Sequence, residues 1–364
     1  MSGLVDVANL LVAGGAFLLA LILVPVARRL GERFGFMDAV HPDKIHTKPM
    51  VRCGGAGIVA AFCCTLFGGL ALLHFQGPRG WLPGSLADHV PNIPSVLPRL
   101  ATVMGGALML FVVGLIDDRI NLRPSVKLGF QLLAGAILVA GGVTINLFIP
   151  GWWPGALLTV VWVVIITNAF NLLDNMNGLT SGVALVCALG FYLVSRAGGE
   201  YFMMAMFAVL AGSVAGFLPY NFPRARVFMG DGGTLFIGYL FAALSIMVTY
   251  YDAGVSTQLP VITPLIVLGV PLYDTLSVMW IRWRSGKPLM QGDQNHFSHR
   301  LVALGFSRVR AVVFIWVVTL VMGLAAVNLR SLDGTGAFLM LVQVMLFFLL
   351  IFALELQGRK SGRK

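Results

Sequence analysis

Long apolar segments, broken only by short polar loops, recur along the whole chain. Each contains about 20 residues, the length of an α-helix that crosses ~30 Å of hydrocarbon. Backbone polar groups cannot face lipid unpaired, so the pattern predicts an all-α polytopic membrane bundle. Eleven spans are predicted, at residues 4–27, 54–75, 100–116, 127–149, 153–173, 179–195, 201–218, 233–250, 259–281, 311–329 and 337–354. Because the breaks are short, we interpret residues 1–364 as one integral-membrane domain.

Charged residues are scarce and unevenly distributed. They make up 11% of the chain, 58% is hydrophobic and the mean hydropathy is +0.89, whereas a soluble domain has roughly 25% charged residues. Of the 25 Lys and Arg residues, 21 follow odd-numbered spans or lie in the C-terminal tail. The positive-inside rule therefore predicts an outside N-terminus and a cytoplasmic C-terminus. Topology and anionic lipid also explain the net charge of +10, so no nucleic-acid partner is predicted.

Five polar segments fall on the predicted cytoplasmic side, and the fourth is the most distinctive. It covers residues 217–234, FLPYNFPRARVFMGDGGT, between two predicted spans. Asp231 lies among glycines there, with Asn221 and Phe228 a few residues earlier. An acid in a glycine-rich turn at a membrane surface indicates a metal and phosphate site.

The second polar segment contains two adjacent acids, Asp117 and Asp118, directly after an apolar span. Neighbouring carboxylates repel each other, so the pair is a candidate general base, metal ligand or both. The alternative is a solvated helix end whose acids pair with Arg119 or Lys127.

The third polar segment, residues 168–182, is rich in asparagine. Asn168, Asn171 and Asn175 have the spacing of one helix face, and Asp174 lies close to that face. Their oxygens suit Mg²⁺ or the edges of a nucleoside. The alternative is a polar turn that caps a helix.

The first and fifth segments are basic. Lys44 and His46 precede a glycine cluster that opens a helix, an arrangement that suits a phosphate, although a basic inner loop is also the default for a membrane protein. His296 and His299 share a helix face and precede Arg300. Zinc is one interpretation of the histidines, but no cysteine lies nearby, and diphosphate binding fits better beside acids that would hold Mg²⁺.

One acid lies deeper than the others. Asp274 falls within the ninth predicted span, roughly 10 Å from its inner end at 1.5 Å per residue. An ionisable group at that depth is a functional candidate by default. Pro264 and Pro271 in the same span are expected to bend it.

Together these segments predict carboxylates, cations and asparagines on one side of the membrane. Mg²⁺-assisted phosphoryl transfer uses such groups, because acids hold the metal, cations bind the diphosphate and one acid activates the acceptor. At a membrane surface the predicted acceptor is a lipid phosphate. A transporter is the alternative from another class, but it would place polar groups near the bilayer midplane, where we find only Asp274.

The five segments resemble, in order, the motifs of the polyprenyl-phosphate N-acetylhexosamine-1-phosphate transferases of glycosyltransferase family 4. The matching stretches are DKIHTKPMVRCGG at 43–55, DDRINLRPSVK at 117–127, NAFNLLDNMNGL at 168–179, NFPRARVFMGDGGT at 221–234 and DQNHFSHRL at 293–301. The resemblance covers most of the chain. It implies transfer of a sugar phosphate from a UDP-sugar to a polyprenyl phosphate, release of UMP, and Mg²⁺, or alternatively Mn²⁺, as the cofactor.

The resemblance also implies roles for single residues. The catalytic set is Asp117 as general base, Asp118, Asp231, His296 and His299, and the metal ligands are Asp118, Asp174 and Asp231. The substrate-binding set is Lys44, His46, Lys127, Asn171, Asp174, Asn177, Asn221, Phe228 and Arg300. In that set Phe228 is expected to stack on uracil, and the lysines to bind phosphate. The motifs do not distinguish one-step transfer from a covalent aspartyl intermediate.

Two positions depart from the family pattern. The third motif usually has a second acid where this chain has Asn177, which supplies an oxygen without charge. A proline-arginine pair before the glycines has become Val51-Arg52. Neither change removes the acids at 117, 118, 174 or 231.

The expected activity is transfer of N-acetylglucosamine-1-phosphate to undecaprenyl phosphate, the first membrane step of O-antigen, teichoic-acid or another envelope glycan. The alternative is the phospho-N-acetylmuramoyl-pentapeptide transferase of peptidoglycan synthesis, which typically has ten spans and a run of adjacent histidines that this chain lacks. The expected location is the bacterial inner membrane with a cytoplasmic active site. Expected partners are the UDP-N-acetylhexosamine, the lipid acceptor, the bilayer and, as a homodimer, a second copy of the chain.

Overall fold

The computed structural model describes residues 2–38, 49–76, 93–146, 150–250, 258–286 and 295–361. The described chain is helical apart from turns and one two-stranded antiparallel pair, in which Met37 pairs with Val51. The elements are α1 Ser2–Phe34, β1 Met37–Asp38, β2 Met50–Val51, α2 Gly54–Gln76, α3 Ile93–Ile120, α4 Pro124–Ala140, α5 Trp152–Leu173, α6 Leu179–Ala197, α7 Tyr201–Asn221, α8 Gly230–Met247, α9 Thr263–Val267, α10 Gly269–Arg284, α11 Phe297–Ala303, α12 Arg308–Asn328 and α13 Gly334–Ser361. Short 3-10 helices, Leu259–Ile262 and Leu329–Ser331, precede α9 and follow α12.

The predicted fold class, a polytopic helical membrane bundle, is confirmed. In the described part of the chain nine helices are long and apolar enough to cross a membrane, and the bent pair formed by residues 259–267 and α10 would make ten. Helix α4 is apolar but has only 17 residues. Every predicted span overlaps one of these elements, while the count of eleven, the orientation and the single-domain division remain predictions.

The predicted end of the fourth span, residue 149, is wrong. Helix α4 begins at Pro124, whose missing N–H and restricted φ suit a first helical position. It ends at Ala140, because Gly141 closes the last turn and Gly142 adopts a φ of +76°. The following described residues, 143–146, are not helical.

The bend predicted for the ninth span is confirmed. Helices α9 and α10 meet at Leu268, and the segment Leu259–Val267, which ends with α9, makes an angle of 71° with α10. Pro264 lies in the first turn of α9 and Pro271 in the first turn of α10. Pro271 has no N–H to donate to the carbonyl four residues earlier, in α9, so the two short helices do not merge into one straight span.

Helix α8 is the centre of the bundle. Within its apolar stretch 83% of the residues are buried, whereas the corresponding value for α13 is 11%. Helices α2, α3 and α5 pack directly against α8. Glycines allow close approach where α8 begins: a Cβ at Gly114 of α3 would meet the Asp231 carbonyl at 2.5 Å, and Gly55 of α2 lies against Gly233. The first turn of α8 is therefore held tightly by its neighbours.

Candidate functional site

The beginning of α8 is capped by an acid from another helix. Asp118 of α3 accepts hydrogen bonds from the backbone N–H groups of Asp231 at 2.9 Å and Gly232 at 3.1 Å. Helix starts leave such donors without intrahelical partners, and Met229 at the N-cap has no side-chain oxygen to accept them. Gly230 has a φ of +75°, and a Cβ there would lie 2.5 Å from Asp118 Oδ2. Asp118 therefore orients Asp231, and its predicted metal contact is untested.

A single lysine joins the other two acids of these motifs. Lys127 Nζ of α4 lies 3.0 Å from Asp117 Oδ2 and 3.0 Å from Asp231 Oδ2. The second oxygen of Asp117 accepts a hydrogen bond from the Leu122 N–H at 2.7 Å. One ammonium thus lies between two carboxylates from α3 and α8. Its positive charge favours the ionised form of both acids.

The asparagine-rich turn after α5 lies beside the same helix start. Asn171 Nδ2 donates to Thr234 Oγ1 of α8 at 2.9 Å. Asp174, half-buried, follows at the C-cap of α5. Burial raises the pKa of Asp174 to about 6, and the nearby charge of Asp231 acts in the same direction. The turn therefore contributes a carboxyl group that changes protonation just below neutral pH.

Asn221 joins the third and fourth motifs. Its Oδ1 accepts from the backbone N–H of Gly178 at 2.6 Å, and its Nδ2 donates to the Val227 carbonyl at 3.0 Å. Gly178 has a φ of +78°, which favours glycine at this turn. Asn221 is 3% exposed, so the structure shows a bracing role for it, and the predicted nucleotide contact is untested.

The histidine motif forms the short helix α11, which rests on α10. His296 Nδ1 lies 2.8 Å from Asp274 Oδ2, and Asp274 Oδ1 accepts from the Phe297 N–H at 2.5 Å. The deep acid predicted from the sequence thus anchors the start of α11. Ser298 Oγ donates to Asn175 Oδ1 at 2.5 Å, which links α11 to the asparagine-rich turn.

Arg300 points into the protein. It is 7% exposed, its Nη2 donates to Ser277 Oγ at 2.8 Å, and its Nε lies 3.0 Å from Glu355 Oε2 of α13. These contacts are structural, and the predicted contact between Arg300 and substrate is untested.

A cavity of about 770 Å³ opens between these segments. The predicted site residues on its wall are Asn171, Asp174, Asn177, Asn221, Phe228, Asp231 and His299. The other predicted site residues that the structure describes do not line the cavity, and they hold α8 and α11 in place through hydrogen bonds and ion pairs. They are Asp117, Asp118, Lys127, His296 and Arg300. Lys44 and His46 lie outside the described residues.

Three charged residues on the cavity wall were not among the predicted site residues. Arg52, Asp38 and Arg308 line the cavity, and Arg52 Nε lies 3.5 Å from Asp38 Oδ1. Arg52 ends the basic stretch before the glycine cluster of the first segment, where cations suit a phosphate. Arg308 belongs to a basic inner loop, and many such arginines serve topology alone.

The donors on the wall fit a hard cation. Among the described residues no group of three or more His, Cys, Asp or Glu side chains is arranged to hold a metal ion. Mg²⁺ commonly uses only one or two carboxylates together with water and substrate phosphates. Asp174 and Asp231 supply two carboxylates beside amide oxygens, which matches that donor set.

Comparisons with known proteins agree with the motifs. The model of glycosyl transferase family 4 matches residues 100–249. A probable undecaprenyl-phosphate N-acetylglucosaminyl 1-phosphate transferase of Bacillus subtilis is 30% identical over 345 residues, covering 93% of this chain and 88% of that protein.

Two further relatives differ in their named substrates. A decaprenyl-phosphate N-acetylglucosaminephosphotransferase of Mycobacterium tuberculosis is 32% identical over 330 residues, covering 82% of this chain and 77% of that protein. A phospho-N-acetylmuramoyl-pentapeptide-transferase of Desulforudis audaxviator is 30% identical over 365 residues, covering 90% of this chain and 99% of that protein.

Proposed function

Because the chain belongs to the polyprenyl-phosphate N-acetylhexosamine-1-phosphate transferases of glycosyl transferase family 4, we propose that it transfers N-acetylglucosamine-1-phosphate from a UDP-sugar to undecaprenyl phosphate and releases UMP. The observation that carries this proposal is the cavity whose wall brings together Asp174, Asp231 and Phe228. These residues come from segments far apart in the chain, and they offer carboxylates and an aromatic face at one place.

The reaction exchanges one phosphoanhydride bond for another, and the ester bond to the sugar stays intact. An oxygen of the acceptor phosphate forms a bond to the sugar-linked phosphorus of the donor, and the bond from that phosphorus to the bridging oxygen breaks. UMP leaves with the electron pair of that bond. Positioning and electrostatic stabilisation supply most of the catalysis in phosphoryl transfer, so the protein must hold two anionic substrates in line.

Different residues of the cavity would bind different parts of these substrates. Phe228 offers a flat apolar face to the uracil ring, and Arg52 and His299 offer positive or hydrogen-bonding groups to the diphosphate. Lys127 keeps Asp117 and Asp231 close together, and Asp118 orients Asp231. Asp174 and Asp231 would hold Mg²⁺, which, when bound, neutralises charge on the diphosphate and the leaving UMP.

We place this cavity at the cytoplasmic face of the bacterial plasma membrane. The side of the membrane that receives 21 of the 25 Lys and Arg residues is also the side of the five motifs. A nucleotide sugar and a membrane-bound acceptor can meet there.

The test compares three donors on the purified enzyme in detergent or in vesicles with undecaprenyl phosphate and Mg²⁺. We expect UDP-N-acetylglucosamine to give labelled lipid and one UMP for each lipid formed. UDP-N-acetylgalactosamine and UDP-N-acetylmuramoyl-pentapeptide serve as matched donors. Faster turnover with the pentapeptide donor would establish the alternative activity, which the Desulforudis relative makes worth including.

The cofactor is tested on the same preparation. Chelation with EDTA should stop product formation, and added Mg²⁺ should restore it, with Mn²⁺ as the second ion to compare. Full turnover after exhaustive chelation would show that the carboxylates of the cavity act without a metal.

A further inference from the structure

The last helix contains one buried acid. Most of α13 faces outward, but Glu355, near its C-terminal end, is only 5% exposed. Removing a carboxylate from water is costly unless the protein provides a partner for its charge. The partners of Glu355 therefore indicate why an outward-facing helix contains this residue.

Those partners belong to the elements that hold the histidine motif. Tyr273 Oη of α10 donates to Glu355 Oε2 at 2.8 Å, and Arg300 Nε of α11 lies 3.0 Å from the same oxygen. The guanidinium of Arg300 also lies over the rings of Tyr273 and Phe297, 5.8 and 5.9 Å from their centroids. Glu355 thus neutralises an arginine that is itself enclosed between α10 and α11.

Helix α11 depends on such contacts for its position. It has seven residues, which is too short to be stable as an isolated helix. Its start is held by Asp274, and its last turn is held through Arg300 by Glu355 and Ser277. His299 lies between these two attachment points and lines the cavity.

We propose that Glu355 is a positioning residue for the transfer reaction, which holds α11 through Arg300 so that His299 stays on the cavity wall. This inference rests on the proposed function for its catalytic readout. It also gives Arg300 a different role from the substrate contact predicted from the sequence, because the guanidinium acts on the substrate only through the placement of α11.

A double-mutant cycle tests the proposal, with Glu355→Gln, Arg300→Gln and the variant with both changes. Glu355→Gln keeps the size of the side chain but leaves the charge of Arg300 buried and unpaired, so it should reduce kcat by about ten- to a hundredfold through misplacement of His299. The variant with both changes removes both charges, so its kcat should recover at least about fivefold relative to either single variant.

Donor KM separates the two roles of Arg300. If Arg300 only positions α11, the doubly changed variant should regain kcat, and its KM for the UDP-sugar should stay close to that of the wild type. If Arg300 binds the diphosphate, the doubly changed variant should be as impaired as Arg300→Gln and its KM should remain raised. The second result would overturn the proposal.

Glu200→Gln is the matched control. Glu200 is another glutamate held by a short hydrogen bond, because its Oε1 accepts from the Thr249 N–H at 2.8 Å, but it lies at the opposite end of α6 from the asparagine-rich turn. This control should lower thermal stability without changing kcat. An equal loss of kcat in Glu200→Gln and Glu355→Gln would show a general folding defect and contradict a positioning role.

Thermal unfolding in detergent supplies a readout that does not need substrate. Glu355→Gln and Arg300→Gln should each lower the unfolding temperature, and the two losses should not add in the doubly changed variant. If the wild type were inactive with every donor, the proposed function would fail. The non-additive change in unfolding temperature would still test the contact between Arg300 and Glu355. Additive losses would exclude the ion pair as the link between α13 and α11.

Discussion

The two ends of the helix bundle both contain carboxylates paired with cations, but the pairs are built differently. At the end away from the cavity, Asp6 of α1 accepts two hydrogen bonds of 2.8 Å from Nε and Nη2 of Arg196 on α6. One guanidinium meets one carboxylate, and the side chains are 48% and 30% exposed for Arg196 and Asp6. At the cavity end, the single ammonium of Lys127 lies 3.0 Å from both Asp117 and Asp231, and its side chain is 22% exposed.

The difference lies in how completely the charges are matched. The Asp6–Arg196 pair is closed and balanced, and exposed pairs of this kind contribute little to stability. At the cavity end one lysine serves two acids. On the wall, Asp38 and Asp174 are accompanied by Arg52 and Arg308, so the acids still outnumber the cations by one before Asp118 is counted. A site with more negative than positive charge retains the capacity to bind a cation, so function is expected where the pairing is incomplete rather than where its geometry is best.

The largest expected effect comes from removing the charge of Asp231. Asp231→Asn should reduce transfer by about 1000-fold or more, because the cavity would lose a carboxylate predicted to hold Mg²⁺. Labelled lipid formed per minute measures the effect. The matched change Asp6→Asn removes an acid of the balanced pair and should leave turnover unchanged. Similar losses in both variants would remove the functional distinction between the two ends.

Asp118→Asn should have the second largest effect. The amide offers one acceptor oxygen where the carboxylate meets two N–H groups, so the start of α8 should lose about 1 kcal/mol of stabilisation. Misplacement of Asp231 should then reduce kcat by about ten- to a hundredfold. Because we assign Asp118 to the backbone, the Mg²⁺ concentration for half-maximal activity should not change. A large rise in that concentration would identify Asp118 as a metal ligand.

Acidification should weaken Mg²⁺ binding at the cavity end of the bundle. Burial raises the pKa of Asp174 to about 6, so the carboxylate that can bind a cation predominates above that pH and is lost below it. The apparent affinity for Mg²⁺ should therefore fall about tenfold between pH 7 and pH 5. Asp174→Asn should have weak affinity at both pH values. The acceptor phosphate titrates equally in both proteins, so a pH step that survives in Asp174→Asn would assign it to another group.

The smallest expected effect is a gain in apparent affinity for Mg²⁺. Asn177 lies on the cavity wall at a position where the family pattern has an acid. Asn177→Asp should lower the Mg²⁺ concentration for half-maximal activity by about two- to fivefold, because it adds a carboxylate to a site that binds a cation. Asn328→Asp places the same change at an exposed position at the end of α12, opposite Arg308 on the cavity wall, and should leave the Mg²⁺ dependence unaltered. An unchanged requirement in Asn177→Asp would place this residue outside the metal site.

The sequence predicted the helical membrane fold well because hydrophobic length is a local property. Span boundaries were less accurate, as α4 shows: the apolar run continues past Ala140, but Gly141 and Gly142 end the helix. The candidate site residues were found as separate motifs. Their division into cavity wall and supporting groups was not predictable, because a motif does not reveal whether its polar atoms meet a ligand or another part of the chain.

Asp118 and Asn221 illustrate that difference. Both were predicted to contact ligands, and both direct their oxygens to backbone N–H groups of distant segments. Glu355 was not predicted at all, since it lies in the last helix far from any motif. Its partner Arg300 is 55 positions earlier in the chain, and only packing of α10, α11 and α13 brings them together.

The sequence by itself determined that this chain is a polytopic helical membrane protein with acids, asparagines and cations in five ordered motifs, because span length, charge and motif order are all written along one dimension. Only the tertiary structure decided which acids share a cation, which of them line the cavity and which support it. The physical reason is that charge pairing and helix capping act over about 3 Å, and residues more than a hundred positions apart, such as Lys127 and Asp231, reach that distance only when their helices pack.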